Sequence, residues 1–169
     1  MNTIETQLPI GIQDFGKLRT EGFRYVDKTR LVYKLANAGC YYFLSRPRRF
    51  GKSLFISTLE AYFLGRKELF EGLEIEQLEK DWIEYPVLHL DLNTQKYENA
   101  DSLKSVLNEV LDNWEKLYGK NPNEVGFGRR FQGVIGRAFE KTGRRVVILW
   151  DEYDKPVLQA IGNDEREEE

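Results

Sequence analysis

An α/β layer architecture with a mainly parallel sheet is what these 169 residues predict, and three observations carry it. Short apolar runs at Tyr41–Leu44, Pro86–Leu92 and Val146–Trp150 have the length of strands. Apolar residues at helical spacing separate them. Strands alternating with helices imply connections that run through helices, and the unbroken Val146–Trp150 run is expected to be covered on both faces.

Taken in order, Asp27 is placed to cap a helix over about 28–38, in which Leu31, Val32 and Leu35 share a face and Gly39 closes the end. Tyr41–Leu44 follows as the first strand and leads into Ser45-Arg46-Pro47-Arg48-Arg49-Phe50-Gly51-Lys52-Ser53. Leu54, Phe55, Leu59, Tyr62 and Phe63 then recur as in a helix over 52–64 that Gly65 stops. A short helix is expected near 76–82, and Pro86 opens the second strand. Leu103, Val106, Leu107, Val110, Leu111, Trp114 and Leu117 describe an amphipathic helix ending at Gly119, and this stripe reads as core packing because it is too short for a zipper. After a loop at 121–128, Phe131, Val134, Ile135, Ala138 and Phe139 mark a helix over 129–141 that Gly143 ends.

Composition narrows the class. The length suits one domain over 1–169, with 1–8 and 163–169 expected to be flexible ends. A lone Cys40 excludes a disulfide framework and a multi-thiolate zinc site, and it reads as structural. There is no signal-peptide pattern and no apolar run of about 20 residues, so a cytoplasmic protein without membrane contact is expected. Residues 1–60 carry ten basic and five acidic side chains, whereas 61–169 carry 15 and 23. A basic first third with a net charge of −3 overall favours a small anionic ligand over a nucleic-acid coat.

Two motifs carry the chemistry. Arg46–Ser53 fits the phosphate-loop pattern G-x-x-x-x-G-K-[ST] except that Arg46 stands at the first glycine. A strand that ends, a turn, and a helix N-terminus present backbone N–H groups and a positive dipole end to an anion. Gly51 lets the backbone approach phosphate, Lys52 supplies a point charge, the Ser53 hydroxyl suits Mg²⁺, and Arg48, Arg49, Phe50 and Leu54 complete the binding stretch. The second motif is Asp151-Glu152 at the C-terminal end of an apolar strand, the edge where open α/β sheets bind ligands. There Asp151 is suited to hold Mg²⁺ through water, and Glu152 to polarise the water attacking a γ-phosphate. Each motif also has a plain capping reading at the helix that follows; their joint occurrence in the expected order favours nucleotide. With no Asn-Lys-x-Asp guanine-reading stretch, ATP is expected rather than GTP.

The phrases Gly11–Phe15, Tyr25–Thr29, Phe43–Leu54, Pro86-Val87 and Asp151–Asp154 resemble the prokaryotic AAA-ATPase-like family, over about residues 9–161. That family's own loop reads R-P-R-R-F-G-K-S, so Arg46 follows its habit. The resemblance implies a P-loop NTPase-type three-layer sandwich that binds MgATP and, when complete, hydrolyses it. In that family a nuclease-like domain commonly follows the ATPase domain; another protein partner from the missing C-terminal part and a homo-oligomer are options beside it. Ending at Glu169, the sheet is expected to be incomplete at its C-terminal side, with a slot between the 146–150 strand and the loop strand. Binding with weak or no turnover is the expectation for the chain alone.

Other residues keep two readings. Arg46, Arg48 and Arg49 contact phosphate or pair with carboxylates near the sheet edge. Tyr25–Thr29 lines an adenine pocket or, through Asp27, caps its helix; capping is preferred. His89 and Asp91 share one strand face near the site, and a structural role is preferred for His89. At the level of function, a non-hydrolysing nucleotide switch for a nuclease or other partner is the alternative to an ATPase, and direct nucleic-acid binding ranks last.

Overall fold

The computed structural model describes residues 7–45, 50–93 and 100–155, which form two compact units, 1–84 and 85–169. Arg46, Arg48 and Arg49, and the tail from 156, lie outside the described residues.

The described part of the first unit is helical. Asp14 accepts from the Lys17 N–H at 2.5 Å and so starts α1 (Phe15–Thr20), a helix of six residues with too little periodicity to stand out in the sequence. α2 (Thr29–Ala38), α3 (Lys52–Phe63), a 3₁₀ turn (Lys67–Phe70) and α4 (Ile75–Leu78) follow. Phe15, Val32, Phe55, Tyr62, Phe70 and Ile75 make the core. Its rings meet edge-on or tilted: Phe15 and Phe70 centroids are 4.9 Å apart, Phe70 and Trp82 5.1 Å. The Arg19 guanidinium donates to the Leu69 and Glu71 carbonyls at 2.7 and 2.6 Å, fastening α1 to the 3₁₀ turn.

Asp27 holds the start of α2 as expected, though from one residue before the cap position. Lys28 occupies the cap position of α2, and Asp27 Oδ1 accepts from the Thr29 N–H and hydroxyl at 2.8 and 2.7 Å. Its Oδ2 accepts from the Glu74 N–H at 2.7 Å, while Thr29 Oγ1 accepts from Ile75 N at 3.1 Å. One aspartate thus ties the start of α2 to the start of α4. Partial burial pushes the Asp27 carboxyl up, but the three donated hydrogen bonds outweigh it and hold the pKa below the usual value.

The expected strand at Tyr41–Leu44 is not one: residues 41–45 form no ladder, and Tyr41 and Phe43 are largely exposed. A short apolar run becomes a strand only where a neighbouring backbone supplies its donors and acceptors. Among the described residues the sheet has two strands, both in the second unit.

That unit is β1 (Val87–Asp91), α5 (Ala100–Tyr118), α6 (Phe127–Thr142) and β2 (Val147–Asp151). The strands pair in parallel and in register, Val87 with Val147 through to Asp91 with Asp151. Leu88 and Leu90 pack with Val106, Leu111, Trp114 and Val134 of the two helices. The expected two-sided cover of β2 is not found, because Ile148 and Trp150 remain 42% and 48% exposed. The helices cover Leu88 and Leu90 of β1 almost completely, whereas their register partners on β2 are covered only in part.

Polar contacts fasten α5 to α6. Glu115, 4% exposed, receives Arg130 Nε and Nη2 at 2.9 Å each, and Arg130 also reaches Asp112 and Asn108. The Arg130 hydrogen bonds hold the Glu115 carboxyl below its usual range against the opposing effect of burial. Arg137 donates to Glu124 at 2.6 Å, and Gly133 makes room for that carboxylate, since a Cβ there would lie 2.1 Å from it. Leu117 and Phe139, expected in the apolar stripes, are more than half exposed instead.

Candidate nucleotide site

In the first unit the sequence-marked residues stand at the start of α3. Gly51 stands at the cap position with φ 73° and ψ 27°, a left-handed conformation that glycine adopts without the clash a side chain meets. The Phe55 N–H donates to the Gly51 carbonyl at 3.0 Å, so the amides of Lys52, Ser53 and Leu54 stand ahead of the helix's own ladder. Phe50 is exposed, and Lys52, Ser53 and Leu54 are half-buried in the first turn. The rest of α3 is anchored below them: Phe55, Ile56, Thr58, Ala61 and Tyr62 are buried, and Ser57 Oγ accepts from the Phe15 N–H at 2.9 Å. A rigid helix therefore carries the turn that bears the lysine and the hydroxyl.

A separate group of sequence-marked residues lies in the second unit, at the end of β2. Asp151 is 3% exposed, and its Oδ1 accepts from the Glu152 N–H at 2.9 Å. Its register partner Asp91 is exposed and accepts from the Asn93 N–H at 2.8 Å. His89 is half-buried on the same strand face as Asp91. Glu152 has φ +53°, which non-glycine residues seldom adopt. Such backbone positions gather at functional sites, where the surroundings hold them. Lys155 reaches back from the following turn and donates to Asn93 Oδ1 and O at 2.9 and 3.2 Å.

Gly51, Lys52, Ser53 and Leu54 are thus brought together on one turn in the first unit, and Asp151 and Glu152 side by side in the second. Asn93 and Lys155 escaped the sequence reading; their partnership spans 62 residues, and no local pattern announces it. Cys40 is exposed.

The donor types suit Mg²⁺. A hydroxyl and a carboxylate are hard oxygen ligands, and this ion takes few of them from protein because phosphate and water fill the rest. Among the described residues no three acidic, His or Cys side chains cluster into an all-protein cage. No helix among them is long and apolar enough to cross a membrane.

Residues 9–169 match a family model described as Predicted AAA-ATPase. A protein of Azotobacter chroococcum mcd 1, described as an uncharacterized protein in the vnfD 5' region, is 41% identical over 157 residues. Those residues are 92% of this chain and 30% of that relative, so the chain spans under a third of its length. No solved structure matches.

Proposed function

The chain belongs to the predicted AAA-ATPase family, and from that premise we propose that it binds MgATP and, when complete, hydrolyses it to ADP and phosphate, with residues 1–169 forming a single, partial P-loop NTPase-type three-layer domain. The observation that carries this reading is the left-handed Gly51 set directly before Lys52 and Ser53 on a buried helix. That arrangement joins backbone amides, a helix dipole and a lysine ammonium on one turn, which is what a polyphosphate requires.

In this reading Gly51 and the amides of Lys52, Ser53 and Leu54 cradle the phosphates, with Arg48, Arg49 and Phe50 completing the loop. The Lys52 ammonium neutralises charge on the outer phosphates as the bond to the leaving oxygen breaks. Ser53 and Asp151 would hold Mg²⁺, which supplies charge stabilisation and orientation of the phosphate chain when bound. Glu152 takes up a proton from the attacking water and aligns it with the γ-phosphorus. Reaction type and roles follow from the family and from residue chemistry together.

Thermal-shift titration with MgATP, MgGTP and ADP tests the reading. At a ligand concentration a hundred times Kd, binding stabilises by about 2.7 kcal/mol, equivalent to roughly 5–10 °C for a domain of this size. Lys52→Ala is expected to lose most of that shift without a matching loss of stability in the absence of nucleotide. An equal shift in K52A, or no shift in a folded wild-type chain, would overturn the site.

A further inference from the structure

The turn after β2 contains a residue that should not rest comfortably where it is. Glu152 is a left-handed non-glycine, and conformations of that kind persist when neighbouring contacts over-determine them. Those contacts close a ring across the two strand ends. The Glu152 N–H donates to Asp151 Oδ1, and the Glu152 carbonyl accepts from Lys155 N at 3.1 Å. Lys155 Nζ then crosses to Asn93, donating to its side-chain oxygen and its carbonyl. The ring shuts through Leu92, whose N–H donates to the Asp151 carbonyl at 3.1 Å. A flexible lysine thereby spends its charge on two neutral oxygens, which orders the side chain at an entropic cost and fixes the turn on which Glu152 rides.

We propose that Lys155 is a positioning residue for Glu152: clasped to Asn93, it holds the left-handed turn from which the Glu152 carboxylate acts. The inference rests on the reading of Glu152 as the base, and the experiment separates the two. Single-turnover hydrolysis of labelled ATP is followed with the full chain in excess, together with ATP affinity, for wild type, Glu152→Gln, Lys155→Met, Lys155→Arg and the double variant Asn93→Ala/Lys155→Met.

If the inference holds, K155M lowers the rate constant about tenfold with Kd for ATP within about twofold, since misaligning a base affects the transition state and not the bound substrate. Arginine at 155, which keeps the donors, restores most of the rate. Adding Asn93→Ala costs nothing further, because both changes remove one contact. If E152Q abolishes turnover while K155M matches wild type, the clasp is dispensable and this inference fails alone. If E152Q turns over like wild type, the base assignment fails, and the inference with it. Amide exchange without nucleotide reads the turn directly: K155M should speed exchange at 152–155 about tenfold or more and leave 147–151 unchanged. Unchanged exchange at 152–155 would overturn the clasp even in a chain too slow for the kinetic assay.

Discussion

The start of α3 and the end of β2 are held by opposite means. Below Lys52 the helix sinks Phe55, Ile56, Thr58 and Tyr62 into an aromatic core, and the turn at its tip is made largely of backbone. At Asp151 the strand leaves Ile148 and Trp150 open on one face, and its tip is held by directed hydrogen bonds among Asp151, Glu152, Lys155 and Asn93. Burial is proportional to area and indifferent to angle, so it fixes a helix as a rigid body without specifying any one side chain. Hydrogen bonds are directional and contribute little net stability, so they aim particular atoms. On the proposed reading, an anion cradle built from amides needs the first kind of support, and a base that must meet one water needs the second.

Four sets of measurements break or sharpen this contrast. Phe70→Ala removes a fully buried ring that touches Phe15, Tyr62 and Trp82, and it is expected to cost about 3–5 kcal/mol in urea denaturation. Trp150→Ala, at a half-exposed position, should cost far less; equal losses would mean that the two regions are not supported differently.

Arg130→Met leaves the Glu115 carboxylate buried without its main partner and should destabilise by about 3 kcal/mol. Changing Glu115→Leu as well should recover most of that loss, since the paired desolvation cost disappears with the pair. No recovery in the double variant would show that packing, not charge, is what Arg130 contributes.

Gly51→Ala should cost about 1 kcal/mol, from the left-handed backbone alone, because among the described residues no atom beyond its chain neighbours lies within 4 Å of the added methyl. Its nucleotide shift in the thermal assay should fall by more than its stability does.

The smallest effect concerns pH. The folded-state pKa of Asp27 is lowered, so its contribution to stability is fully present above the usual carboxylate range and is lost as pH falls through the folded value. Wild type should therefore be more stable than Asp27→Asn at neutral pH, with the gap closing on acidification. A gap that widens toward acid would reverse the sign of the assignment.

The elements that periodicity foretold share one property: their apolar faces are met by neighbours close in sequence or by their own hydrogen-bond ladders. α3 begins at Lys52 and ends beside Gly65, and α5 and α6 end at Gly119 and Gly143, as their patterns require. α6 starts two residues earlier than its apolar spacing suggests, since Phe127 also packs in the core. The failures share the converse property. Tyr41–Leu44 reads as a strand only if a partner lies beside it, and Val146–Trp150 reads as covered on both faces only if a second layer is present. Glu115, placed in the sequence on a charged-looking stretch of α5, is buried because Arg130, fifteen residues on, neutralises it.

For the candidate site, residue identity alone marked Gly51, Lys52, Ser53, Asp151 and Glu152, because phosphate and metal chemistry demand those side chains and short spacings reveal them. Helix limits were likewise written locally, in glycines and in apolar spacing, since helical hydrogen bonds close within four residues. What awaited the folded chain was everything settled by partners distant along it: the in-register pairing of Asp91 with Asp151, the Asp27 link between two helices, the left-handed Glu152, and the reach of Lys155 to Asn93. Contacts that span 47 to 62 residues leave no periodic trace, because their geometry exists only after the intervening chain has packed.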